Sequence, residues 1–98
     1  MRVLISNNLQ VDADVICASA RHAKRILNES QISTLLVAQR IDGREQGLDV
    51  LRWAYGRGCL PARITIVDSG QESCASIGGF LKSKGYRAFD DRQFIKLI

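Results

Sequence analysis

Ile64-Thr65-Ile66-Val67-Asp68-Ser69-Gly70-Gln71-Glu72 is the stretch that decides the fold. Four β-branched residues in a row suit a strand. A polar turn follows, in which Ser69 stands three residues before Glu72, the reciprocal capping pattern that starts a helix. Cys74, Ile77, Phe80 and Leu81 then recur at helical spacing. Lys82 and Lys84 favour the helix C-terminus, and Gly85 can close it in the left-handed conformation. A strand passing through a short turn into a helix is half of a βαβ unit, whose strands pair in parallel.

The same alternation extends in both directions. Toward the N-terminus, Arg2-Val3-Leu4-Ile5-Ser6 is a nearly all-apolar strand stopped by Asn7-Asn8, and Val15 to Ala18 is a second. Ser19 caps a helix with Ala20, Ala23, Ile26 and Leu27 on one face and Arg21, Lys24 and Arg25 on the other. Ile32 to Ala38 is the third strand, and Gln39 to Gln46 a polar loop. Leu48, Leu51, Ala54 and Tyr55 define a helix to Arg57, stopped by Gly56 and Gly58. Pro61 precedes the fourth strand, and Tyr86 to Phe89 is a fifth. In residues 90–98, Phe94, Ile95, Leu97 and Ile98 fit a short helix or a terminal strand equally. The expected architecture is one α/β domain, residues 1–98, with an open, mainly parallel five-stranded sheet, helices on both faces and a C-terminal extension of undecided structure.

Composition bounds the function. Ninety-eight residues make one domain, 46% hydrophobic and 24% charged, which is ordinary globular chemistry. A chain this short buries about 65% of its unfolded surface, enough to fold without a metal or other cofactor. No apolar run approaches the roughly 20 residues that span a bilayer, and the N-terminal segment lacks signal-peptide features, so no membrane association and a cytoplasmic location are expected. Cys17, Cys59 and Cys74 lack paired spacing and are expected to be reduced and mostly buried. The net charge of +4 comes from basic residues spread along the whole length, which supports at most weak nucleic-acid binding.

In an open parallel sheet, ligands bind outside the carboxyl ends of the strands. Those ends carry Ser6, Asn7 and Asn8 after the first strand, Ala38, Gln39 and Arg40 after the third, and Asp68, Ser69 and Gly70 after the fourth. A magnesium-dependent phosphoacceptor site needs two or three carboxylates there. Only Asp68 is present. No metal site is expected.

Gly47-Leu48-Asp49-Val50-Leu51-Arg52-Trp53 is similar to the Gly-aromatic-Asp-Val-Leu-Lys-Trp helix start of the cyclic-phosphate processing receiver domains, a compact group related to two-component receivers. Ile64 to Ser69 resembles the strand leading to that family's His-Ser-Ala-Asn turn, with Asp68 in place of the His and Ser69 matching the Ser. Val15 to Leu27 resembles its second strand and following helix. The resemblance implies a receiver, or flavodoxin-like, fold over roughly residues 2–89. It also implies a lost site. Ser6 and Asn7 stand where the family has paired Asp residues, and Ala38, Gln39 and Arg40 where it has Asp-His-Asp. Ala38 offers no oxygen to phosphorylate, and Arg40 places a cation where a metal ligand belongs.

Plainer roles compete at several positions. Ser69 is accounted for by capping with Glu72, and Asp68 either pairs with Arg40 or caps in solvent. His22 has no evident nucleophile beside it. Cys74 follows a helix start, where a thiol pKa falls, but lies on an apolar face. The pair Gly78-Gly79 fits close packing of the helix on the sheet better than a phosphate loop. The leading expectation is a non-phosphorylatable, receiver-like regulatory module that binds another protein through Arg40, Arg44, Arg52, Trp53, Tyr55 and Arg57, with no catalytic residue. A homodimer through Phe94 to Ile98 is a further expectation. The alternatives are a phosphate-ester, cyclic-phosphate or nucleotide enzyme or binder using Asp68, Ser69, His22 and Arg40, and a weak nucleic-acid binder.

Overall fold

The computed structural model describes residues 1–7, 13–39, 41–67, 71–90 and 92–96. The strands are β1 (Arg2–Ile5), β2 (Val15–Cys17), β3 (Thr34–Val37), β4 (Arg63–Ile66), β5 (Tyr86–Ala88) and β6 (Gln93–Lys96). The helices are α1 (Ala20–Glu29), α2 (Gly47–Arg57) and α3 (Gln71–Ser83). All six strands form one sheet in the order β2-β1-β3-β4-β6-β5. The first four strands pair in parallel, and β6 pairs antiparallel with both β4 and β5.

Two parts of the expected architecture are corrected. The sheet has six strands rather than five, because residues 93–96 form a strand between β4 and β5. A turn makes this return possible: Asp90 Oδ1 accepts from the N–H groups of Arg92 and Gln93, both at 2.8 Å. The helices also occupy one face rather than two. The crossovers β2 to β3, β3 to β4 and β4 to β5 all step the same way across the sheet, and right-handed crossovers in one direction place every helix on one side. Among the described residues no helix lies between β1 and β2, the connection that would carry one to the other face.

Side chains sort accordingly. Val3, Ile5, Cys17, Leu35, Val37, Ile64, Ile66, Tyr86 and Phe94 form one core with Ala23 and Leu27 of α1, Val50, Leu51 and Ala54 of α2, and Ile77 and Leu81 of α3. Gly78 explains how closely α3 sits on the sheet, since a Cβ there would lie 3.0 Å from Phe94 Cζ. Gly79 meets nothing within 4 Å, so the expected packing role belongs to Gly78 alone. On the face without helices, Ile16, Leu4, Leu36, Thr65 and Gln93 make one cross-strand row. Arg2, Thr34, Arg63, Ile95 and Arg87 make the next.

Caps follow the chemistry of the local sequence. Ser19 Oγ accepts from the His22 N–H at 3.4 Å, and α2 ends at Gly58, whose φ of 72° is left-handed. Gly85, with φ of 91°, closes the turn after α3. The Ser69 to Glu72 capping box lies outside the described residues and side chains. Cys17 is buried and Cys59 half-buried, both as free thiols. Among the described residues no helix is long and apolar enough to cross a membrane.

Candidate functional site

The expected site lies at the carboxyl ends of β1 and β3, where successive connections leave in opposite directions across the sheet. Ser6 is 2% exposed, and its N–H donates to Cys17 O at 3.0 Å. Asn7 Nδ2 donates to Asp42 Oδ1 at 3.2 Å. Ala38 is buried, with its N–H on Ile5 O at 2.9 Å. Arg40, Asp68 and Ser69 lie outside the described residues.

The loop after β3 folds back over these ends. The Asp42 N–H donates to Ala18 O at 2.7 Å, Ile41 is buried against the core, and Glu45 meets Lys24 of α1 at 2.7 Å. The first turn of α2 then closes on β3. The Gly47 N–H donates to Gln39 O at 3.0 Å, and the Leu48 N–H to Gln39 Oε1, also at 3.0 Å. Gln39 Nε2 donates to Gln46 Oε1 at 3.1 Å, and the Gln46 N–H to Asp49 Oδ2 at 2.8 Å. Gly47 is packed so tightly that a Cβ would fall 2.1 Å from Ala38 O. The chain's own groups therefore occupy the space between the end of β3 and the start of α2.

Gln39, Asp42, Gln46 and Gly47 organise this region; Gln39 is an expected strand-end residue and Gly47 opens the motif at the helix start, whereas Asp42 and Gln46 are not among the expected site residues. One signal was available: Gln46 precedes Asp49 by three residues, a capping spacing that uses a less common cap residue.

The expected partner-binding residues divide between two flanks of α2. Arg44, Arg52 and Arg57 are exposed. Trp53 is half-buried, with Lys24 Nζ 5.7 Å and Arg57 Cζ 5.4 Å from its ring centroid. Tyr55 instead meets Phe80 of α3 edge-on, with ring centroids 6.3 Å apart, and Lys84 Nζ lies 4.8 Å from its ring. Two residues along a helix turn through about 200°, so Trp53 and Tyr55 do not form one aromatic cluster. His22 is exposed on the first turn of α1, beside a depression of about 220 Å³ that it lines with Ser19, Arg21 and Arg25. Of the expected C-terminal dimer segment, Phe94 is buried in the core and Ile95 is half-buried, while Leu97 and Ile98 lie outside the described residues.

Among the described residues no group of three His, Cys, Asp or Glu side chains gathers where a metal could sit. Burial pushes the Cys17 thiol up to about 11, opposite to the shift of a reactive thiolate. Cys59 is also raised, chiefly by burial. Compared with known proteins, the chain matches no family model, no curated protein and no solved structure.

Proposed function

We propose that this chain is a receiver-like regulatory module that binds another protein and accepts no phosphoryl group. The observation that supports this reading is the closed start of α2: Gly47 rests on Ala38 O, and the Gln39 side chain occupies the Leu48 N–H. A phosphorylatable strand end needs a carboxylate at that point and free donors around it. Here an alanine fills the position and its neighbours are engaged with each other.

The binding surface is the flank of α2 that faces α1, with Trp53 and Arg57 as its centre, Arg44 exposed in the loop before the helix and Arg40 preceding it in sequence. Arg and Trp are the residues most enriched where protein interfaces concentrate their energy. Lys24 and Arg57 both lie over the Trp53 ring, within the range of cation–π attraction.

Three measurements test the reading. Intact mass after incubation with acetyl phosphate and Mg²⁺ should be unchanged, and a phosphoryl adduct would overturn it. In an affinity capture, the double variant Arg44→Ala and Arg57→Ala should lose a saturable protein partner that the parent chain retains. Equal retention by both chains would remove this surface. Turnover of cyclic phosphates that disappears in Asp68→Ala would replace the module reading with the enzyme alternative.

A further inference from the structure

We propose that the helix-free face of the sheet binds single-stranded nucleic acid, with Arg2, Arg63 and Arg87 on the phosphates and Phe89 as a stacking platform. The surface lies on the opposite side of the sheet from α2, so this inference goes beyond the protein-binding reading and does not depend on it.

Three observations carry it. The first is charge in register. Arg2 pairs with Thr34, which stands beside Arg63; Arg63 pairs with Ile95, and Ile95 with Arg87. Neighbouring strands are about 4.8 Å apart, so the three guanidinium-bearing positions recur at roughly 10 Å along one straight row. All three residues are exposed.

The second is that Arg63 and Arg87 have no ion-pair partner among the described residues. Both ion pairs among the described residues, Lys24–Glu45 and Arg25–Glu29, involve helix residues on the other side. Two described carboxylates stand at the ends of the face and keep their charge: Asp14 Oδ2 accepts from the Arg2 N–H at 2.8 Å, and Asp90 Oδ1 from the turn before β6. Asp14 partly offsets the charge of Arg2, which leaves Arg63 and Arg87 as the stronger contacts. Arg binds phosphate through two parallel N–H bonds and is more weakly hydrated than Lys, so a row in which Arg63 and Arg87 lack ion-pair partners favours polyanions.

The third is what lies beside the cations. Phe89 is 71% exposed, and its N–H donates to Gln93 O at 2.7 Å, which places it at the end of the adjoining row. A depression of about 190 Å³ between the rows has Thr34, Arg63, Thr65, Gln93 and Ile95 among its walls. Hydroxyl and amide groups there can meet sugar and base edges. A cationic track beside an exposed aromatic is the pattern of sequence-tolerant single-strand binding, in which each base offers a ring to stack on Phe89 and a run of acidic side chains offers none.

The test is fluorescence anisotropy of labelled twelve-nucleotide single strands, DNA and RNA, titrated with the full chain over a salt series. Single strands lose about 0.7 in log–log slope per phosphate contact, so three contacts give a slope of about −2. Arg63→Gln and Arg87→Gln should each flatten it by about 0.7, and Lys82→Ala on α3 should leave it unchanged. Phe89→Ala should weaken binding about fivefold or more at every salt concentration without changing the slope. Thermal melts of the variants confirm that these exposed substitutions keep the fold. No saturable binding, slopes indifferent to Arg63 and Arg87, or a Phe89→Ala variant that binds as tightly as the parent would overturn the proposal. Displacement by polyglutamate at matched charge, together with indifference to Phe89, would assign the face to an acidic protein instead.

Discussion

Gly47 shows how one residue joins the fold to the absence of chemistry at the strand ends. It is the first residue of α2, and its Cα lies where a side chain would strike the Ala38 carbonyl oxygen at 2.1 Å. That obstacle is backbone and cannot rotate away. Gly47→Ala should therefore destabilise the protein by about 1–3 kcal/mol, the range for overpacked sites, despite the better helix propensity of Ala. Gly56, on the same helix, meets nothing within 4 Å and has no left-handed backbone requirement. Gly56→Ala should stabilise by about 0.5–1 kcal/mol. Urea denaturation of the two variants separates the effects, and equal or same-sign changes would refute the close approach. In the sequence, Gly47 was legible as part of a motif at a helix start, but its contact with Ala38 was not. That contact depends on how far the loop after β3 folds back, which is set by distant partners such as the Asp42 N–H on Ala18 O.

At the scale of elements, local signals placed most strands and helices, while the partner of each strand lay beyond them. The β-branched run at Ile64 to Val67, the Ser19 cap and the closing glycines Gly58 and Gly85 each act over a few residues, and each appears where its chemistry requires. Residues 93–96 were ambiguous because four residues cannot separate a helical from a strand period, and their pairing with β4 is decided by the hairpin turn at Asp90. The hairpin is also tied at its start: the Tyr86 O–H, buried at the head of β5, donates to Pro61 O just before β4. Burial pushes the Tyr86 pKa up to about 12, so the folded state favours the neutral phenol. A raised folded pKa contributes stability that is complete below the unfolded value of about 10 and is lost as pH rises through the folded one. Cys17, raised to about 11, acts in the same direction from a slightly lower pH. Denaturation midpoints should therefore fall between about pH 9 and 12. Tyr86→Phe should lower stability by about 1 kcal/mol near neutrality, through the unpaired Pro61 carbonyl, and should lose less on the alkaline side. An identical alkaline decline in both proteins would show that Tyr86 is not the titrating anchor.

For the whole molecule, the decisive property is that all three helices share one face. It follows from strand order together with crossover handedness, and strand order is a long-range quantity that no local pattern in the sequence carries. One-sidedness divides the surface into a helical side, where Lys24 and Arg25 meet Glu45 and Glu29 and Arg57 and Lys84 lie over Trp53 and Tyr55, and a sheet side, where Arg63 and Arg87 stand in one cross-strand row. It also predicts a gradient of stability across the sheet. β1 and β3 are flanked by parallel neighbours on both sides, and Val3, Leu4, Ile5, Leu35, Leu36 and Val37 are each at most 3% exposed. The edges are weaker. β2 leaves Ile16 49% exposed, and β5 has Arg87 and Ala88 exposed beside a single neighbour. Opening an edge strand uncovers little apolar surface, whereas opening β1 or β3 requires the core beneath the helices to come apart. Native-state hydrogen exchange should therefore show the amides of Leu4, Ile5, Leu36 and Val37 exchanging only by global unfolding, with a denaturant dependence equal to that of the whole protein. Amides of β5 that bond to β6 should exchange by a smaller opening with a shallower dependence. Equal protection and equal denaturant dependence in β3 and β5 would mean that the sheet opens as one unit, against the gradient that strand order and burial imply.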